Sequence, residues 1–511
     1  MLRGLKIGPV SDTYLSYYKR LWSEQPYLKW FVLISIWLIV LLFVPAIATI
    51  VLIINFFAMA LVSGLQIYSA SLPDKNITTV SRNDKPFVSI HIPTYNEPPE
   101  LVCDTLNALI DLDYENYEVI VLDNNTKKVE TWYPVKQHCK KLGKRFHFEH
   151  VENLKGYKAG ALNICLELSS DKTEYILVID ADYKVQPEIL TTSLSYFTDD
   201  RIALVQFPQS YSNAHEKNRG MSDEYEHFFQ VYMNMANCLN CVLSTGTVSV
   251  IRKKALSEVG NWSDRTITED VDLGLRLHEA GFHGVYVPIP LGKGLMPTDL
   301  KSLRQQRERW VYGNTQTLFN FIKMSKKNIT AWQSLGIFTQ LTAWVNFMLI
   351  PAITLILAGF SILVNDHPSH SFIVEFSLFT IWAYLIFKMT FFSFAFLRRG
   401  KSAQQAFYAY LVHLGMIWEG GSSWLRFMIR DNPGFKRTNK FKIVGPTRDL
   451  IPGFAFSIIM ILCGILLLLN NAVWPAIFSI LLAPFFLSVI YIYRQIQNTY
   501  EFNYGNHEIK S

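Results

Sequence analysis

Three short strings in this chain bring chemically useful residue types together at close spacing. Asp180-Ala-Asp182 follows the apolar run Tyr175-Ile-Leu-Val-Ile. Two carboxylates one residue apart, where a strand ends and the backbone turns, can both offer hard oxygen ligands to a single divalent cation. A cation held there would neutralise the charge that develops on a departing diphosphate. A solvated turn is the plainer reading of that string taken alone. Thr268-Glu269-Asp270 stands before the helical run Val271 to Ala280. Acidic residues at a helix start can simply cap it and meet its dipole, or one of them can act as general base toward an acceptor hydroxyl. Gln306-Arg-Glu-Arg309-Trp310 adds a guanidinium suited to phosphate and an indole with a flat face for a sugar ring. A Trp-anchored interfacial helix would carry the same residues.

The elements that must position these groups read as an α/β layer. Phe87-Val-Ser-Ile-His-Ile-Pro is an apolar strand that stops at Pro93, Glu100 to Asp111 reads as helix, and Val119-Ile-Val-Leu-Asp123 is a second strand, together a βαβ opening. Ligands of open α/β sheets bind beyond the carboxyl ends of the strands, which places Thr94, Tyr95, Glu97 and Asp123 to meet one. The glycine fingerprint of dinucleotide folds is missing there. Cys238 and Cys241 form a lone CxxC with no second pair and no suitably spaced His, so the expectation is buried small side chains rather than zinc or redox chemistry.

Half of the 511 residues are hydrophobic and 14% are aromatic, and the apolar ones are clustered. Phe31 to Tyr68 is nearly free of charge and is about twice the roughly 20 residues that one span needs, with Pro45 where a tight outer turn would form, so two spans are expected. Leu341 to Val364 and Phe372 to Leu397 make a second pair, Ile451 to Leu469 and Ala472 to Tyr493 a third, for six spans in all. Ala403 to Ile429 is interrupted by Glu419-Gly-Gly-Ser-Ser423 and bounded by basic residues, and reads as an interfacial helix. Between Asp74 and Asn328 the composition is that of an ordinary α/β domain. The net charge of +6 would suggest nucleic acid if it lay on that domain, but Arg398, Arg399, Lys401, Arg426, Arg430 and Lys440 flank apolar runs instead, the pattern of cytoplasmic loops. A mostly polar stretch before the first apolar run argues against a cleaved signal peptide. The chain ends shortly after the last run, which argues against control by a cyclic dinucleotide through a domain of its own.

Taken in order, Asp123, Asp180-Ala-Asp182, Thr268-Glu269-Asp270 and Gln306-x-x-Arg309-Trp310 resemble the D, DxD, TED and QxxRW motifs of processive family 2 glycosyltransferases, the group of cellulose, hyaluronan and chitin synthases. The match covers about residues 85 to 320. The resemblance implies an α/β GT-A-type nucleotide-sugar-binding domain inserted into an α-helical transmembrane bundle. It implies that Tyr95 and Asp123 hold the uracil of a UDP-sugar, that Asp180 lies on the ribose and diphosphate side, and that Asp180 and Asp182 face Mg²⁺ or Mn²⁺. Asp270, beside Glu269, would be the base; Lys158, Gln306 and Arg309 would face the diphosphate; Trp310 would stack on the terminal sugar of the acceptor. Phe435-Lys-Arg-Thr438-Asn-Lys440 is similar to the gating loop of cellulose synthases, with Thr438 and Lys440 at the matching polar positions and Arg437 where a valine is expected. A basic loop resting on anionic lipid is the alternative. Asn124-Asn125-Thr126, Tyr157-Lys-Ala-Gly-Ala-Leu-Asn163, Val205-Gln-Phe-Pro-Gln209 and Gly246-Thr247 look closer to the synthase domains of bacterial β-1,3-glucan proteins, including those that make cyclic β-glucans, which favours glucose.

The resulting expectation is an inverting, processive transfer from UDP-glucose to a growing β-glucan, with β-1,3 linkage favoured over mixed or β-1,4 linkage, and translocation of the product across a bacterial inner membrane. The domains would be an N-terminal cytosolic segment (1–27), two transmembrane helices (28–72), the cytosolic catalytic domain (73–332), an interfacial segment with two transmembrane helices (333–400), an interfacial helix with a gating-like loop (401–449), two further transmembrane helices (450–495) and a cytosolic tail (496–511). Partners would be the donor, the glucan acceptor and membrane lipid, with accessory export subunits as further candidates and no nucleic acid. A non-processive enzyme adding one sugar to a lipid carrier is the first alternative, and such enzymes commonly lack the QxxRW string. A transporter with a nucleotide-binding regulatory domain is the second; it would need intramembrane charges, where Glu375 and Lys388 are the main ones.

Overall fold

The computed structural model describes residues 26–82, 84–361, 368–429 and 447–504, so Thr438 and Lys440 of the gating-like loop lie outside the described residues. The globular part is built on the strands β1 (Phe87–Thr94), β2 (Tyr117–Asn124), β3 (Phe146–Val151), β4 (Thr173–Val178), β5 (Lys184–Val185), β6 (Ile202–Gln206), β7 (Ser210–Tyr211), β8 (Ser249–Arg252), β9 (His283–Tyr286) and β10 (Gly292–Gly294). Seven of them form one sheet in the order β3-β2-β1-β4-β8-β6-β9, and β5-β10-β7 form a small second sheet. In the large sheet β8 runs antiparallel to both its neighbours, β4 and β6, while the other pairings are parallel.

A mostly parallel sheet must be covered on both faces, and the two-residue period of β2 shows how. Val119 and Val121 pack with Val102 and Leu106 of helix Pro99–Ala108 and with Val135 and Cys139 of helix Val129–Leu142. Ile120 and Leu122 pack on the opposite side with Ala161 and Cys165 of helix Tyr157–Leu168. β1 runs one residue past Pro93, to Thr94. Its pairing with β4 ends at His91↔Val178, so the missing N–H of Pro93 costs no ladder bond on that side. β3 escapes the search for apolar runs because it is an edge strand in which Phe146 and Phe148 alternate with His147 and Glu149. The strand order turns around at β1, with β2 and β3 on one side and β4 on the other, which makes the carboxyl ends of these strands the place for a ligand. This is a GT-A-like α/β architecture.

The rest of the chain is helical. Helix Pro26–Phe43 breaks at Val44 and restarts with Pro45 at the first position of helix Pro45–Ser71, where a missing N–H is harmless. Among the described residues three helices are long and apolar enough to cross a membrane: Pro45–Ser71, Ser371–Arg398 and Val473–Tyr500. Lys29–Phe43, Leu349–Gly359 and Gly453–Leu469 are apolar but shorter. The outward surface of this bundle is apolar: Phe31, Ile54, Phe57, Leu61, Ile458 and Trp474 are each more than half exposed, a surface suited to lipid rather than water. Glu375 is exposed, whereas Lys388 is buried and donates to Gln66 Oε1 at 2.7 Å. Residues 403–429 form two helices rather than one, Ala403–Gly415 and Ile417–Met428. The first ends where Gly415 meets Ile492, against which a Cβ would lie 2.2 Å from Cδ1. The second runs along helix Leu300–Lys323, tied by Arg304–Glu419 at 3.0 Å and by Arg426 to Glu308.

Candidate active site

A cavity of about 350 Å³ opens beside the carboxyl end of β4. Lys158, Asp180, Glu269, Asp270, Gln306, Arg309 and Trp310 all line it, and they come from four separate parts of the chain. Lys158 stands in the first turn of helix Tyr157–Leu168 and donates to Asp180 Oδ1 at 2.6 Å and to the Gly246 carbonyl at 2.7 Å. Asp180 is fixed in turn by its own N–H, which donates to Thr247 Oγ1 at 2.9 Å. The helix expected from Val271 begins two residues earlier, at Glu269, so that both carboxylates lie in its first turn, where the exposed N–H groups and the helix dipole favour negative charge.

Burial dominates the electrostatics of this turn. It pushes Glu269 up to about 7, assisted by the charge of the neighbouring Asp270, while Lys158 at 3.9 Å pulls the other way. Asp270 is raised by burial too, against the opposing influence of Lys158, backbone N–H groups and Arg309. Burial opposes charge on Lys158, but Asp180, Glu269 and Asp270 together carry it above the ordinary lysine value. A carboxylate held above its usual range beside a persistent cation is what a general base operating near neutral pH requires.

Two glycines let the walls come this close. Gly246 has φ +83°, and a Cβ there would lie 2.5 Å from Asp270 Oδ2. At Gly313, on helix Leu300–Lys323, a Cβ would lie 2.5 Å from the side chain of Thr268, so that helix can press against the acidic turn. The same helix presents Gln306, Arg309 and Trp310. Tyr225 donates its hydroxyl to Gln306 Oε1 and stands edge-on to Trp310 at 6.0 Å, and Trp344 lies 5.6 Å from Trp310. Tyr225 and Trp344 come from sequence positions that no spacing rule connects with the string around Trp310, which is why the sequence gives no cue to them.

The remaining expected residues are placed apart from the cavity lining. Asp123, 2% exposed, accepts from Thr94 Oγ1 at 3.1 Å, Thr126 Oγ1 at 2.8 Å and His150 Nδ1 at 2.7 Å. Trp132 lies flat on His150, ring centres 4.4 Å apart. His150 faces Asp123 because β3 pairs with β2 in that register, a fact that the sequence alone does not supply. Tyr95 and Glu97 follow on the turn where Asn96 takes φ 51°. Asp182 is buried and accepts from the Leu295 N–H at 2.9 Å. Among the described residues no group of three His, Cys, Asp or Glu is arranged to hold a metal ion. Asp180 and Asp182 therefore fit a hard divalent cation only as a partial oxygen set, the kind that Mg²⁺ completes with substrate phosphates. The six cysteines are free thiols; Cys241 is buried against Gly336, and Cys238 donates to the Pro73 carbonyl at 3.1 Å.

Comparison with known proteins gives two family matches. The family model described as glycosyl transferase family 2 matches residues 89–260, and the one described as glycosyl transferase family group 2 matches residues 175–397. Residues 89–260 thus carry a glycosyl transferase family 2 domain. The chain is 31% identical over 265 residues to a probable glucomannan 4-beta-mannosyltransferase 9 of Oryza sativa, covering 49% of each chain. It is 31% identical over 240 residues to the cellulose synthase catalytic subunit of Pseudomonas fluorescens, covering 45% of this chain and 31% of that one. With the probable glucomannan 4-beta-mannosyltransferase 14 of Arabidopsis thaliana it shares 32% identity over 281 residues, 52% of each. The chain thus spans about half the length of the plant relatives and a third of the bacterial one. The solved structure of a mannosyltransferase from Pyrobaculum calidifontis in complex with GDP-Man and Mn²⁺ superposes with a TM-score of 0.49 at 17% identity, over 67% of this chain and 96% of that one. These relatives do not show closeness to β-1,3-glucan synthases.

Proposed function

We propose that this chain is a membrane-embedded, processive, inverting glycosyltransferase that takes glucose from UDP-glucose, adds it to the non-reducing end of a growing β-glucan and passes the polymer across the membrane. The observation that carries the reading is the meeting, in one cavity, of a raised, half-buried carboxylate, Asp270, with the cations Lys158 and Arg309 and the indole of Trp310. In the proposed step an acceptor hydroxyl attacks the anomeric carbon and loses its proton to Asp270. The bond from that carbon to the diphosphate breaks, and the leaving oxygen keeps the electron pair. A single displacement of this kind inverts the anomeric configuration. Lys158, Gln306 and Arg309 answer the charge on the leaving diphosphate, Trp310 carries the ring face of the acceptor, and Glu269 tunes the charge beside Asp270. Thr94, Tyr95, Glu97 and Asp123 hold the nucleoside end, and Thr438 and Lys440 close over it. Asp180 and Asp182 would hold Mg²⁺ or Mn²⁺, whose chemistry is to neutralise the diphosphate. The catalytic domain faces the cytosol at a bacterial inner membrane, with export subunits as further partners; the basic residues flanking the apolar runs support that orientation.

A second reading concerns sugar and linkage. The relatives named for 4-beta-mannosyl transfer and for cellulose favour β-1,4 linkage and admit mannose as the sugar. Purified protein in lipid, offered UDP-glucose or GDP-mannose with Mg²⁺ or Mn²⁺, decides between them once the product is sized and digested with linkage-specific glycanases. A long product cut by β-1,3-glucanase supports the first reading, and one cut by cellulase or mannanase the second. Transfer of a single sugar to lipid contradicts processivity in either form.

A further inference from the structure

Arg307 is a buried residue that the catalytic reading leaves without a task. It sits inside the string Gln306-Arg-Glu-Arg309-Trp310, yet it is 2% exposed and does not line the cavity. Burying a guanidinium is expensive unless its surroundings answer the charge. Its Nη2 pairs with Glu224, also 2% exposed, and the other carboxylate oxygen of Glu224 lies 3.5 Å from His413 Nδ1 on helix Ala403–Gly415. Among the described residues Nε and Nη1 have no hydrogen-bond partner. Aromatic rings surround the cation instead. The guanidinium carbon lies 4.5 Å from the ring centre of Tyr225, 4.9 Å from that of Trp310 and 4.0 Å from that of Trp344.

Alongside Tyr157, Phe228 and Phe229, all three of these rings line the cavity. Each comes from a different segment, and a single guanidinium touches all of them from behind. A planar cation can lie against several ring faces while keeping an in-plane bond to a carboxylate; an ammonium on a flexible stem cannot.

We propose that Arg307 is a positioning residue for the acceptor: anchored by Glu224 and His413, its guanidinium fixes Tyr225, Trp310 and Trp344 in one arrangement and thereby sets affinity for the apolar ring face of a hexose chain. This rests on the reading that Trp310 carries the acceptor, and the residue touches neither substrate itself. Its influence falls first on acceptor binding, because Lys158 and Asp180 on the nucleotide side are held by contacts to Gly246 and Thr247 that Arg307 does not share; its one link to that side runs through the Tyr225 hydroxyl on Gln306.

The test titrates the intrinsic tryptophan fluorescence of the full chain in detergent with laminarihexaose, cellohexaose and mannohexaose, and separately measures the Kd for UDP and for GDP. Arg307→Lys is expected to raise the Kd for the preferred hexasaccharide about tenfold, as loss of ring contacts to a desolvated cation implies, while the nucleotide Kd stays within about twofold. Arg307→Met should move the same way and further. Trp310→Ala, run in parallel, separates the two layers of the claim. If Trp310→Ala loses hexasaccharide binding but Arg307→Lys does not, the positioning role is wrong and the acceptor platform stands. If Trp310→Ala binds every hexasaccharide as well as the unaltered protein does, or the unaltered protein binds none of them, the platform reading fails and this inference fails with it. Equal weakening of nucleotide and hexasaccharide binding with a lowered Tm in Arg307→Lys would show a general packing role and overturn the proposal.

Discussion

The cluster around Asp123 and the cavity around Asp270 each place a carboxylate near the carboxyl edge of one sheet, the first buried and the second half-buried, and they differ in how that charge is answered. Asp123 takes hydrogen bonds from Thr94, Thr126 and His150 and is fully engaged within the protein. Asp270 shares a desolvated turn with Glu269, is raised above its ordinary value, and feels Lys158 and Arg309 across the cavity. A carboxylate engaged by three donors orients what lies beside it; one raised above its ordinary value takes up a proton more readily. On the proposed function the two sites divide holding from chemistry.

Four substitutions would break or sharpen that division. The largest effect is expected at Lys158, which answers both Asp180 and the acidic turn: Lys158→Met should lower kcat by roughly a hundredfold or more, as removal of one preorganised charge-stabilising donor does elsewhere. Steady-state assays of nucleotide release check this, and a near-normal kcat would show that the diphosphate lies away from the cavity. Gly246→Val inserts a side chain where a Cβ alone would sit 2.5 Å from Asp270 Oδ2, in a backbone conformation that valine resists. Displacing the base by about an ångström should cost roughly a hundredfold in rate, read as lost transfer with nucleotide binding retained. His150→Gln, which leaves Asp123 in place and removes the imidazole, is expected to raise the donor KM about tenfold, the equivalent of one charge-assisted hydrogen bond, with kcat little changed. A drop in kcat instead would place Asp123 in the chemistry and dissolve the contrast.

The smallest effect concerns stability. Glu269 has an ordinary value of 4.5 and stands near 7 in the fold because burial disfavours its charge. The folded state therefore prefers the neutral acid, and that preference contributes fully below pH 4.5 and is lost as pH rises through about 7. Glu269→Gln removes this dependence, so its Tm should fall less between pH 4.5 and pH 8 than that of the unaltered protein. Parallel thermal melts across that range test the sign.

The same contrast explains what the sequence could and could not reveal. Asp180, Asp270 and Arg309 stand in strings whose spacing announces them, and the βαβ opening follows from apolar runs and their period. Glu269 and Asp270 sit inside a helix rather than before it because the acidic first turn is stabilised by the dipole, which apolar periodicity does not register. His150, Tyr225 and Trp344 reach their sites through strand register and helix packing between distant segments, and no local pattern encodes such contacts. Residues 403–429 read as one apolar stretch but form two helices, because the close approach of Gly415 to Ile492 is a tertiary event.

The most direct measurement is a comparison of donor binding and sugar transfer in Asp270→Asn. Calorimetry should give a nucleotide affinity within about threefold of the unaltered protein, while single-turnover transfer falls by roughly a thousandfold, the middle of the range for loss of a general base. Transfer that survives the substitution, or nucleotide binding lost together with it, would contradict the assignment of Asp270 as the base and of the cavity as the place where the glycosidic bond forms.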